Sequence, residues 1–154
     1  MNNNELPDQV WDVVQSHLGY TDQEMELFKK DPRNAKVLAM TPDMKSKTIV
    51  FEVIESKGCN SKHVAGSRFY FSGDGNLLTK MAPSKVCAYL LPILGQAIYG
   101  IQELWYAGVD PNELCFKRAG CFDVGVQCGG WGHLIVESKV MSREDATKLF
   151  EQSR

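Results

Sequence analysis

The first informative feature of this chain is what it does not contain. No Cys-x-x-Cys pair occurs, although there are five cysteines. The intervals between Cys115, Cys121 and Cys128 fit neither a zinc ribbon nor a ferredoxin-type cluster. No Gly-x-x-x-x-Gly-Lys run is present, so the chain has no standard nucleotide-phosphate loop. Charge of one sign is not in excess: 17 basic residues stand against 19 acidic ones, with pI near 5.9. That balance argues against a general binder of nucleic acid or of anionic membrane. Long apolar runs are missing as well. The longest, Val86 to Ile101, is interrupted by Pro92, Gly95, Gln96 and Gly100, too broken to cross a bilayer. The polar start, MNNNELPDQ, does not read as a secretory leader. The expectation is therefore a cytoplasmic protein, bound to neither nucleic acid nor membrane. In that compartment cysteines serve as thiols, core fillers or metal ligands more than as disulfides.

What remains is the make-up of an ordinary globular domain, 44% apolar and 23% charged over 154 residues. A single domain is expected, with a helical lead over 1–44, an α+β core over 45–141 and a C-terminal helix over 142–154. Leu6, Val10, Val13, Val14 and Leu18 recur at helical spacing, and Gly19 can close that helix. Thr21 to Glu24 reads as a capping box opening a second helix. Asp31-Pro32 starts a third, which Thr41-Pro42-Asp43 should break. Lys29, Lys30, Arg33 and Lys36, interleaved with Asp31, form a solvated face.

Lys47 to Glu55 alternates: Ile49, Phe51 and Val53 lie on one face, and Thr48, Val50, Glu52 and Ile54 on the other. That is a strand. Ser67 to Phe71 is its hairpin partner, across a polar loop holding Cys59 and His63. Pro83 to Trp105 has helical spacing, with Pro92 demanding either a kink or a fresh start at its first turn. Leu114, Phe116 and Arg118 begin a third strand leading to Cys121, and Leu134 to Met141 form the fourth. Ser142 caps a short final helix. The architecture implied is α+β: a small antiparallel sheet of two hairpins joined by a long interrupted helix, with helices on one face. Loop 58–66 and segment 120–133 are expected to meet at one end of that sheet.

The chemistry gathers there. Cys59 and His63, with Cys87 and Cys121, offer sulfur and imidazole donors of the kind that suit zinc or iron. Asp123, Cys128, Trp131 and His133 are candidate walls of a ligand pocket. Cys121 with His63 or His133 and Asp123 has the make-up of a nucleophile, base and orienting acid, although no Gln-Ala-Cys-like motif surrounds it. The Gly129-Gly130-Trp131-Gly132 turn either closes the core with Trp131 or offers backbone amides to a ligand. Cysteines are also frequent core fillers, so a domain without a site is a third reading.

From about Lys47 to Val140 the chain resembles a family of short, functionally uncharacterised prokaryotic proteins. The resemblance rests on a strand, Cys59-x-x-x-His63, Gly66, Cys87 opening a long helix, Gly108 at its end, and Cys121-x-Asp123 before the last strand. Lys62 stands where the family has glycine, and Gly66-Ser67 where it has Gly-Asp. Cys128, the Gly-Gly-Trp-Gly turn and the helical lead are additions. The resemblance implies a cytoplasmic α+β protein with Cys59, His63, Cys87 and Cys121 as its shared polar set. The functional expectation is a small binding or accessory protein, its N-terminal helices meeting a partner or a second copy. The alternative is a thiol enzyme.

Overall fold

The alternating stretch at Ile49 builds the centre of the protein. In the computed structural model, which describes residues 6–153, β1 (Lys47–Lys57) pairs antiparallel with β2 (Arg68–Ser72) and with β4 (His133–Ser142). The short β3 (Arg118–Gly120) pairs with β4, giving the order β2-β1-β4-β3. All pairings are antiparallel, and the fold is α+β. Register places Ile49 opposite Phe71 and Val140, and Val53 opposite Val136. These residues share one buried cluster with Phe51 and Phe69. Beyond β3, the free edge of β4 is met by Asn112, whose side-chain amide exchanges two 2.9 Å hydrogen bonds with the Val140 backbone.

Helix α4 (Leu91–Tyr106) covers that face through Leu94, Ile98 and Ile101. Pro92 sits in its first turn, where a missing amide costs nothing. Cys87 therefore does not open this helix, as the sequence had suggested. It lies in the preceding turn, and its carbonyl accepts from the amides of Leu90 and Leu91. The opposite face of the sheet carries Val50 and Tyr70 and is covered by α5 (Arg143–Glu151) through Ala146, Leu149 and Phe150. Helices thus pack on both faces, not on one. The second alternating set of β1 is apolar enough to need cover of its own.

Two further boundaries differ from the sequence expectation. The third strand begins at Arg118, not Leu114. Pro111 to Glu113 forms a 3-10 turn, and Phe116 is exposed. The chain also does not break at Thr41-Pro42-Asp43, since α3 (Pro32–Lys45) runs through Pro42. There the Thr41 hydroxyl donates to the Val37 carbonyl one turn back.

The chain divides into two compact units, one ending at Asp43 and the other beginning at Met44. In the first, α1 (Asp8–Leu18) closes on Gly19 at φ 71°. Helix α2 (Asp22–Lys30) opens with the Thr21–Glu24 capping box. Phe28 meets the rings of Trp11 and Tyr20 at 6.3 and 5.7 Å between centroids. Among the described residues no helix is long and apolar enough to cross a membrane.

Candidate functional site

The site grows from an irregularity in the central strand pair. Between Val53 and Glu55 the β1–β4 register shifts by one residue. Strict alternation would put Glu55 on the core face with Val53. The bulge instead sends it to the face of His133, and Glu55 Oε1 lies 2.6 Å from His133 Nε2. Past the bulge, Lys57 pairs with His133, which brings the ends of β1 and β4 side by side. Their approach is so close that a Cβ on Gly132 would stand 2.4 Å from the Gly58 carbonyl oxygen.

A cleft of about 540 Å³ opens at this end of the sheet. Cys59 enters it from the loop after β1. Cys121 enters just past β3, its amide bonded to the Leu134 carbonyl at 3.0 Å. Cys87 enters from the turn before α4. Each of these thiols is free, partly buried and packed against the main core cluster. Phe122 donates its amide to the Tyr89 carbonyl at 3.4 Å, which links the Cys87 turn to the Cys121 segment. Tyr89, Phe122 and Trp131 line the cleft, and all three are exposed.

Asp123 also lines the cleft, but its carboxylate faces its own chain. Oδ1 accepts from the amides of Trp131 at 2.9 Å and Gly125 at 3.2 Å, and Oδ2 from Gly132 at 2.8 Å. Chiefly the Gly132 amide, with those of Trp131 and Gly125, holds this carboxyl below the usual carboxylate range against partial desolvation. Asp123 therefore fastens the Gly-Gly-Trp-Gly turn and does not orient an imidazole. The same bonds overturn the expectation of a glycine floor offering amides to a ligand. Gly129 donates to Val126, Gly130 to Gly125, and the next two amides to Asp123. A carboxylate in the same turn has taken the place a bound anion would need.

Trp131 is not a core residue, being 89% exposed at the cleft rim. The reason is local: with Asp123 gripping its backbone, the turn projects its side chain outward. Cys128 is exposed and outside the cleft lining, on the 3-10 turn Val126–Cys128. His133 lines the cleft; His63 does not. His63 is buried edge-on to Phe69 at 5.0 Å, and its Nε2 has no hydrogen-bond partner among the described residues. Burial pushes its imidazole below the ordinary histidine range. Among the described residues no group of three or more His, Cys, Asp or Glu side chains is placed to hold a metal ion.

Glu55 was not legible as a site residue, because a bulge cannot be read from alternation. Tyr89 and Phe122 carried a usable signal: each adjoins or nearly adjoins a cleft cysteine. Lys62, at φ 61°, is the one described non-glycine residue in the left-handed region. No protein-family model, curated protein or solved structure matches this chain.

Proposed function

We propose that this is a small binding protein whose ligand site is the cleft between Cys59, Cys87 and Cys121. One observation supports the reading above the others. Three cysteines separated by 28 and 34 positions in the sequence line one solvent-open cleft of ligand size, instead of being dispersed through a sealed core. Exposed Tyr89, Phe122 and Trp131 supply flat apolar surface at the rim, where stacking is effective. In the helical lead Val13 and Leu27 are exposed, which supports an accessory role in contact with a partner or a second copy.

The experiment is native mass spectrometry and elemental analysis of the full chain, purified anaerobically without a histidine tag. It is paired with titration by the apolar dye anilinonaphthalene sulfonate. A co-purifying small ligand, or one dye bound per chain and displaced from the Trp131→Ala variant, supports the cleft reading. Absence of both defeats it. Stoichiometric zinc or iron would favour the four-ligand alternative, in which His63 joins the three thiols.

A second reading, a thiol enzyme, draws on the Glu55–His133 pair. A carboxylate that bonds one imidazole nitrogen fixes the tautomer of a base lining the same cleft as Cys121. Here Glu55, not Asp123, is the orienting acid. One thiol alkylated far faster than the others, and slowed in Glu55→Gln, would favour this reading.

A further inference from the structure

Helix α4 carries a single charge, Glu103, in 16 residues. Leu94, Ile98 and Ile101 bury one side of it against the sheet, yet Leu91 and Tyr99 are exposed. A helix this apolar around its whole circumference is normally covered on more than one side. Between α4 and the edge strand β3 lies a groove of about 670 Å³, which shares no lining residue with the cysteine cleft. Its lining includes Phe51, Ile101 and Val136 from the main core cluster, with Leu104 and Leu114 beside them. Strand β3 borders the groove and pairs with β4 alone. Phe116, on the same border, is 92% exposed, more than any other large hydrophobic among the described residues. Of the charged groups in the lining, Arg118 is engaged by Glu137 at 2.8 Å. Glu103 on α4 and Lys117 ahead of β3 have no ion-pair partner among the described residues.

We propose that this face joins two copies of the chain in a two-fold dimer. Phe116 of each copy fills the α4–β3 groove of the other, and Glu103 of each faces Lys117 of the partner subunit. The occupant is a second copy because the face is complementary to itself. An apolar knob stands beside an apolar groove, with an unpaired acid on one wall and an unpaired base on the other. A two-fold rotation sets each knob into the other groove and each acid against the other base, which is what an isologous contact requires. The edge of β3, with no strand beyond it, is closed by the same contact. Phe116 supplies the buried aromatic anchor, and the charge pairs fix the orientation of the two copies. No residue of the cleft or of the helical lead takes part, so the dimer is independent of the ligand reading.

Sedimentation velocity of the reduced full chain, from about 1 μM to 1 mM, reads the monomer–dimer equilibrium. The expected result is a reversible dimer. Phe116→Asp should weaken it roughly 10²- to 10³-fold, because the loss of an anchor counts twice across a two-fold axis. Glu103→Lys and Lys117→Glu should each weaken it roughly 3- to 10-fold, and the two together should restore it, as misfolding could not. Leu27→Lys, in the helical lead, should leave it unchanged. The unmodified chain gives a further readout. Cys115 adjoins Phe116 and is exposed, so its alkylation should slow as protein concentration rises, while that of exposed Cys128 should not. The proposal is overturned if the chain stays monomeric throughout the series, whether the groove takes another partner or none. It is overturned equally if the dimer survives Phe116→Asp, if the charge swap fails to restore it, or if Cys115 reacts alike at both extremes of concentration. A dimer lost in Leu27→Lys instead would place the contact on the helical lead and defeat the proposal.

Discussion

Replacing Gly132 by alanine tests the close strand approach that forms the cleft. A Cβ at this position would stand 2.4 Å from the Gly58 oxygen, 2.6 Å from its carbonyl carbon and 2.8 Å from the Lys57 oxygen. All three obstacles are backbone, and real Cβ atoms do not approach heavy atoms within 3.0 Å. The ends of β1 and β4 must therefore separate by about 0.6 Å or more, in an interior packed too tightly to absorb it. Overpacking of this kind costs about 1–3 kcal/mol. A strained or lost hydrogen bond beside Lys57–His133 adds about 0.5–1.5 kcal/mol. The sum, about 1.5–4.5 kcal/mol, corresponds to a fall in Tm of about 6–18 °C for a unit of this size. Two other glycines calibrate the result. Gly129, at φ 86° with open space around it, should lose about 1–2 kcal/mol as alanine, from backbone strain alone. Gly95, exposed within α4 with nothing nearby, should gain about 0.5–1 kcal/mol as alanine. Urea and thermal unfolding of the three variants would rank them. If Gly132→Ala proves as stable as the parent, the two strands do not approach at Gly58 and the floor of the cleft is misplaced.

Burial lowers the folded-state affinity of His63 for a proton, so the unfolded chain takes one up first. Stability should decline as pH falls through the ordinary histidine value of about 6.5, then level off below the folded value. His63→Phe should flatten that slope in unfolding titrations from pH 8 to 5; a slope left intact would place its origin elsewhere. Asp123 behaves differently: its folded-state carboxyl is more acidic than in the unfolded chain, so its support is full above the ordinary carboxylate range. That support is lost as pH falls through the lowered value, and Asp123→Asn should lose this acid-range dependence while loosening the Trp131 turn, as read by hydrogen exchange. Trp131→Ala should leave the unfolding midpoint within about 0.5 kcal/mol of the parent, whereas Phe51→Ala, in the core, should cost about 3–5 kcal/mol. A large loss at Trp131 would show that its ring is packed.

Much of the scaffold was legible because it depends on local rules. Period-two alternation marked β1 and β2, the Thr21 and Ser142 caps marked helix starts, and Pro92 left two choices, a kink or the fresh start that α4 makes. These are properties of neighbouring residues, which the chain carries with it wherever it folds. The errors came where a distant contact decides. Alternation shows that Val50 and Tyr70 share a face, but not that α5 returns to cover it. A bulge adds one residue to a strand without a compositional mark, so alternation left Glu55 on the face of Val53 until pairing set it beside His133. Asp123 lies two positions after a cysteine, which suggests catalysis. Only the folded turn delivers three amides to its carboxylate and turns Trp131 outward. By itself the sequence determined the elements and the supply of thiols at Cys59, Cys87 and Cys121. The tertiary structure alone brought those thiols to one cleft and left His63 and Cys128 outside its lining. Register and packing are relations between segments far apart in the chain, and no local pattern encodes them.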